Sequence, residues 1–95
     1  MCLTSDSVLK FYEEIDAPLK LLIHYRLKAK FGKTFQEIVS EDPHNVYKAL
    51  SKALGVHNAE LFLHMLYNWL LKKNCATELK YVEMFLGKIS AVGTS

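Results

Sequence analysis

The stretch "AELFLHMLYNWLLKK", residues 59–73, decides how this chain must fold. From Leu61 to Leu71 only His64 and Asn68 interrupt the apolar side chains. On a helix, Glu60, His64, Asn68 and Lys72 recur every four positions and form one narrow polar line, with apolar groups around the remaining girth. Such a helix has to be enclosed by its own chain, by a second copy or by a membrane. The run is well short of the ~20 residues that cross a bilayer, so the membrane is set aside. Protein must do the enclosing.

Working outward from this run, the punctuation divides the chain into helices. Ser5 or Ser7 is the expected cap of a first helix, whose Val8, Phe11, Tyr12 and Ile15 share one face. Asp16 and Pro18 restart the chain, since proline fits the first turn of a helix and spoils an interior. The second helix should reach Phe31 and stop at Gly32. Thr34 and Glu37 have capping-box spacing and open a short third helix through Ile38. Asp42 and Pro43 open the fourth, with Val46, Tyr47, Leu50, Ala53 and Leu54 on one stripe that ends at Gly55. The apolar helix then runs from about Asn58 to Lys73. Thr77 is the expected cap of a last helix reaching Ser90, with Leu79, Val82, Phe85, Leu86 and Ile89 toward the core and Gly93 closing it. Inside that helix Gly87, with Ala91 four positions on, either admits a close backbone neighbour or frays the final turn. The expectation is an all-α fold, a compact bundle of about five helices plus one short helical turn, with residues 1–95 forming a single domain.

The second helix carries two apolar stripes. Leu21, Leu22, Tyr25 and Ala29 make one; Leu19, Ile23, Leu27 and Phe31 make the other. Lys20, His24 and Lys28 fill one gap between them, and Arg26, Lys30 and Lys33 the other. This pattern predicts a central helix with neighbours on both sides. Two helices this apolar overload the remaining amphipathic partners, and large side chains left wet are adhesive. A homodimer follows as the expectation, with Phe62, Leu66, Trp69 and Leu70 as its interface residues.

Composition narrows the function classes. The chain has 95 residues, 51% hydrophobic and 23% charged, with a net charge of +2. That is ordinary for a globular protein and argues against disorder. The charge is too small to imply nucleic acid by itself. Lys20, Arg26, Lys28, Lys30 and Lys33 form the strongest basic cluster and the alternative, nucleic-acid reading rests on them; solvated flanks of a helix explain the same residues. "ALSKALGVHNAELFLHMLYNWL" has the cadence of a helix-turn-helix, yet Phe62 and Leu63 sit where a recognition helix wants polar groups. It reads better as a corner between packed helices.

Catalytic and metal chemistry find little support. His57 and His64 would stand about 10 Å apart along a helix, too far to share an ion, and His24 and His44 are isolated. Glu13, Glu14 and Asp16 read as solvated carboxylates, and no Gly-rich phosphate loop occurs. Tyr25, Tyr47, Tyr67 and Trp69 could wall a pocket but read first as core. No cofactor and no enzyme activity are expected. Cys2 and Cys75 are the only cysteines, which makes a reducing compartment the default and leaves their pairing open. Cys75, near a helix start, has no visible base beside it. The first residues, "MCLTSDSVLKFYEE", lack the features of a signal peptide, so a cytoplasmic location is expected.

The segment "HYRLKAKFGKTFQEIVSEDPHNVYKALSKALG" resembles the small helical nitrosopumilus output domain of archaeal regulatory proteins. The similar features are the aromatic-bearing helix ending at Phe31-Gly32, the capped turn through Ile38, Asp42-Pro43 opening the helix with Tyr47, Leu50 and Leu54, and the apolar helix beyond Gly55. The similarity covers roughly residues 8–72. It implies an archaeal cytoplasmic domain associated with signalling, often attached to other modules, and it transfers no catalytic residue. This chain departs from it by standing alone and by adding the helix after Thr77. The sequence therefore points to a noncatalytic protein-interaction or regulatory module, self-associating, for which a protein partner is compatible and a membrane is not expected.

Overall fold

Capping chemistry sets the helix starts in the computed structural model, which describes residues 2–89. Thr4, rather than Ser5 or Ser7, caps α1 (Ser5–Glu14); its hydroxyl accepts from the Ser7 amide and the Ser7 hydroxyl caps it in return. Asp16 caps α2 (Ala17–Phe31) with Pro18 in the first turn, and Gly32 ends it in the left-handed region. The Thr34–Glu37 box opens α3 (Phe35–Glu41), which runs a turn beyond Ile38. Asp42 and Pro43 begin a single 3-10 turn, Pro43–Asn45, and α4 (Val46–Leu54) starts only after it. Gly55 is one residue wide as a hinge: α5 (Val56–Lys72) begins immediately, two residues before the expected Asn58. The last helix, α6 (Leu79–Leu86), is shorter than expected, and Thr77 does not cap it. Ser90, Ala91 and Gly93 lie outside the described residues.

The all-α expectation holds: six helices and one 3-10 turn, with no strand, among the described residues. Packing is densest where α4 meets α5 and where α2 meets α4; α1 lies against α3 and α5, and α6 closes over α5 and the 3-10 turn. The centre is aromatic. Phe62 of α5 meets Phe11 of α1 edge-on at 5.3 Å and Phe35 of α3 at 5.5 Å, while Tyr12 stacks on Phe35 at 4.3 Å. Edge-to-face and stacked pairs like these contribute about 0.5–1.5 kcal/mol each beyond area burial.

Three corrections follow from this packing. Phe62, Leu66 and Leu70, expected at a dimer interface, are buried within the single chain because α1, α3, α4 and α6 enclose that side of α5. Trp69 is half-buried: its ring lies 5.7 Å from Phe11 and its Nε1–H donates to Glu14 Oε1 at 3.0 Å, so it ties α5 to α1. On α5 the polar line, its apolar neighbours Leu61 and Leu71, and the first-turn residues Val56, His57 and Asn58 face outward. The helix left wet is α2. Its Ile23 and Leu27 are buried, but Leu21, Leu22 and Tyr25 are exposed, so α2 is not central. Ile89, expected in the core, is also exposed.

Gly87 is not inside a helix. It stands at the C-terminus of α6 with φ 89°, and its amide donates to the Met84 carbonyl at 3.2 Å. A Cβ there would collide with the His44 carbonyl oxygen, so close backbone approach is the correct one of the two expected roles. Cys2 and Cys75 are bonded to each other, with Cα atoms 5.7 Å apart. The pairing arises because α1 docks on the C-terminal half of α5, which carries the residues before Thr4 to the α5–α6 connection, where Cys75 and Leu3 are both buried. Distance along the chain hides this meeting, and the pairing that the sequence leaves open is made.

Two stability measurements test these assignments. Closing a loop across a separation of 73 residues removes enough unfolded-chain entropy to stabilise by up to about 4 kcal/mol. Dithiothreitol should therefore lower the thermal midpoint sharply, read by circular dichroism; an unchanged midpoint would show that the bridge constrains nothing. Gly87→Ala should cost about 2–4 kcal/mol, combining a positive φ with an occupied Cβ position.

Candidate docking face on helix α2

The apolar residues of α2 are spread around its girth, so burying one stripe necessarily leaves the other outside. At 100° per residue Leu21, Tyr25 and Ala29 fall in line and Leu22 lies beside them. Tyr25 is 71% exposed, Leu21 58% and Leu22 40%. These are large values for side chains of this type grouped on one helix. Leu61 of α5, half exposed, continues the apolar surface across the seam between the two helices. That seam, floored by Leu19, Ile23, Leu54 and Met65, encloses only about 20 Å³. It offers no slot for an inserted side chain. The surface is convex.

Cations border the ridge on both sides. Lys28 and His24 flank it toward α3, and Arg26 flanks it toward α4, with exposed Lys30 further round the helix near its end. Arg26 Nη1 donates to the Ala53 carbonyl at 3.4 Å, at the end of α4, where backbone carbonyls carry partial negative charge. Exposed Lys48 and Lys52 stand on α4 itself, and neither α2 nor α4 contains an acidic residue. The long stems of such side chains can lie along apolar surface while the charged ends reach outward. Beside Leu21 an open hollow of about 470 Å³ is lined by Tyr12, Ala17, Lys20, His24 and Gln36. Lys20 Nζ donates to the Glu13 carbonyl at 2.8 Å on its rim, and the Tyr12 hydroxyl donates to the Lys20 carbonyl at 3.3 Å. Burial raises the Tyr12 phenol above its ordinary value, helped by the nearby Glu13 carboxylate.

The five cations of the nucleic-acid alternative are not gathered. Lys20 turns to Glu13; Lys33, beyond the end of α2, is paired with Glu41 at 2.5 Å; Lys28 lies near enough to Glu37 to help hold that carboxyl low. Arg26 borders one flank of the exposed stripe and Lys28 the other. Of the four expected interface residues, none contributes to this face, and Leu21, Leu22 and Tyr25 take their place. The signal that could have found them was present: two stripes on α2 are one more than a surface helix of a small domain can bury.

A second polar group joins α4, α5 and α6. Lys88 Nζ bonds Glu60 Oε2 at 2.6 Å and Glu83 Oε2 at 3.2 Å, and the Tyr47 hydroxyl donates to the same Glu60 oxygen at 2.5 Å. His64 Nε2 lies 3.8 Å from Glu60 Oε1. Each charge is answered by its neighbour, so this group is a clasp that fixes Lys88, just beyond α6, against α4 and α5. Among the described residues no three His, Cys, Asp or Glu side chains gather as metal ligands, and no helix is long and apolar enough to cross a membrane. The chain matches no protein-family model, no curated protein and no solved structure.

The clasp sets a pH window. The bond from Lys88, then that from Tyr47, holds the Glu60 carboxyl below its ordinary range. The bond to Glu60 raises both the Lys88 ammonium and the Tyr47 phenol above theirs. A lowered carboxyl contributes stability above its unfolded value and loses it as pH falls through the folded one; the raised groups contribute below their unfolded values and lose it as pH rises through the folded ones. Glu60→Gln should thus cost about 0.5–1 kcal/mol at neutral pH, a modest amount because the groups are partly exposed. The gap from wild type should close in acid below the ordinary glutamate range and in base above the ordinary lysine range, as thermal midpoints across pH would show.

Proposed function

We propose that the protein is a noncatalytic interaction module that docks through the outer face of α2. One observation carries this reading: Leu21, Leu22 and Tyr25 are exposed together on a helix whose opposite side buries Ile23 and Leu27. Exposed apolar groups that adjoin one another and are rimmed by polar residues mark interaction surfaces. The resemblance to the archaeal output domain supports a regulatory role, in which a domain without chemistry of its own delivers a signal by contact.

Self-association through α5 is left with Val56, Leu61 and Leu71 as its exposed large apolar groups once Phe62, Leu66 and Leu70 are enclosed. Through α2 a twofold contact would set basic flank against basic flank, since an isologous interface opposes each patch to itself. A partner bearing negative charge is favoured over a second copy. Nucleic acid is the weaker alternative, because it would leave Leu21, Leu22 and Leu61 wet, and Lys33 is already paired with Glu41. As to compartment, the Cys2–Cys75 bridge supports surroundings that keep the pair oxidised, against the expected cytoplasm.

The double substitution Leu21→Ser with Tyr25→Ser separates a docking face from a core face. The native protein should bind an apolar fluorescent dye, and the variant should lose most of that binding while its stability changes by less than about 0.5 kcal/mol. Dye binding that survives, or a stability loss above about 2 kcal/mol, would end this reading. Light scattering should give the mass of one subunit at high micromolar concentration.

A further inference from the structure

Resting on the docking reading, we propose that the surface α2 meets is an anionic phospholipid layer, bound peripherally. Three features of the face lead there. First, its apolar part is a ridge and not a groove: Tyr25 and Leu21 project, and the adjoining α2–α5 seam is nearly filled. A partner helix is gripped by inserting side chains into a groove, and the seam between α2 and α5 has none to offer. A headgroup layer needs no pocket, because it yields to a convex apolar element and lets it settle to the level of the acyl boundary.

Second, the cations lie on both borders of the ridge. A helix lying flat in a headgroup layer buries its apolar stripe and places lysines and arginines on either side at phosphate level. Lys28 on one flank and Arg26 on the other have that arrangement, and neither α2 nor α4 carries a carboxylate. A tyrosine near the apex is suited to the same boundary, with an apolar ring and a hydroxyl that stays hydrated.

Third, the hollow behind Leu21 adjoins the ridge and changes character along its wall. Leu21 and Ala17 line it with apolar groups, and Lys20, His24 and Gln36 line it with hydrogen-bond donors. Lys20 keeps donors free beyond the one it gives to Glu13. At about 470 Å³ the hollow has room for a phosphodiester headgroup whose acyl chains would leave past Leu21. The chain of contacts runs from phosphate to acyl layer in the order a lipid presents them.

Vesicle flotation tests this directly, with phosphatidylcholine alone and with about one third phosphatidylglycerol. Wild-type protein should float with the anionic vesicles in low salt, remain behind with the neutral ones, and be released as salt is raised. Lys28→Gln should weaken binding about fivefold. Leu21→Ser with Tyr25→Ser, at positions outside the core, should weaken it at least tenfold. Failure of the folded wild type to float with anionic vesicles overturns the proposal, as does equal flotation with neutral ones or capture by a single-stranded oligonucleotide in preference to either. The wild type alone decides the matter if a variant misfolds. Dye binding separates the two claims: a chain that ignores vesicles yet shows a dye site lost with Leu21 and Tyr25 keeps its docking face and loses only the lipid.

Discussion

Phe62 is the point on which the arrangement turns. Its ring, held between Phe11 and Phe35, brings α1 and α3 against α5, and Tyr12 extends the stack. With those contacts made, Leu63, Leu66 and Leu70 along the same side of α5 are covered by neighbours from its own chain. Enclosing α5 uses the inner faces of most of the other helices. What remains for α2 is contact along one stripe, chiefly with α4. The outward Leu21–Tyr25 stripe is therefore a consequence of where the aromatic centre sits, and the docking face depends on the core.

Local signals were read correctly wherever one residue acts on its own backbone. Asp16, Pro18, Gly32, the Thr34–Glu37 box and Gly55 all mark boundaries where expected, because capping and positive φ are decided within a turn of chain. Errors at Thr4, Val56 and Leu79 are of the same local kind. Serine and threonine caps are near equivalents, so Thr4 could displace Ser5. A left-handed glycine lets the next helix begin at once, which moved the start of α5 to Val56. At Gly87 a positive φ, required by the approach of His44, ended α6 early.

Burial was less legible, for a different reason. Periodicity states that a helix has an apolar face and how wide it is, but the identity of whatever covers that face lies elsewhere in the chain. The α5 pattern is the more apolar of the two helices, and periodicity alone points to it as the interface. Greater apolarity earned it the innermost position instead. The disulfide shows the same limit: Cys2 and Cys75 meet because Trp69 and Glu14 hold α1 along α5, and no spacing rule relates those positions.

The choice of which α2 stripe to bury has a physical basis in its polar groups. Both stripes contain bulky apolar residues, and both gaps between them are basic, so turning the helix half a revolution would exchange one set of cations for the other at little electrostatic cost. The two stripes differ in Tyr25. Turned inward, its hydroxyl would need a partner of the kind that buried Tyr12 finds in the Lys20 carbonyl, and an unpaired buried hydroxyl costs about 1–3 kcal/mol. Leu27 and Ile23 bring no such demand. The observed orientation also allows the Arg26 bond to the Ala53 carbonyl, which a half turn would break. The same tyrosine that is unsuited to this core thus sits on the outer stripe, where its ring adds apolar area to the ridge and its hydroxyl remains in water.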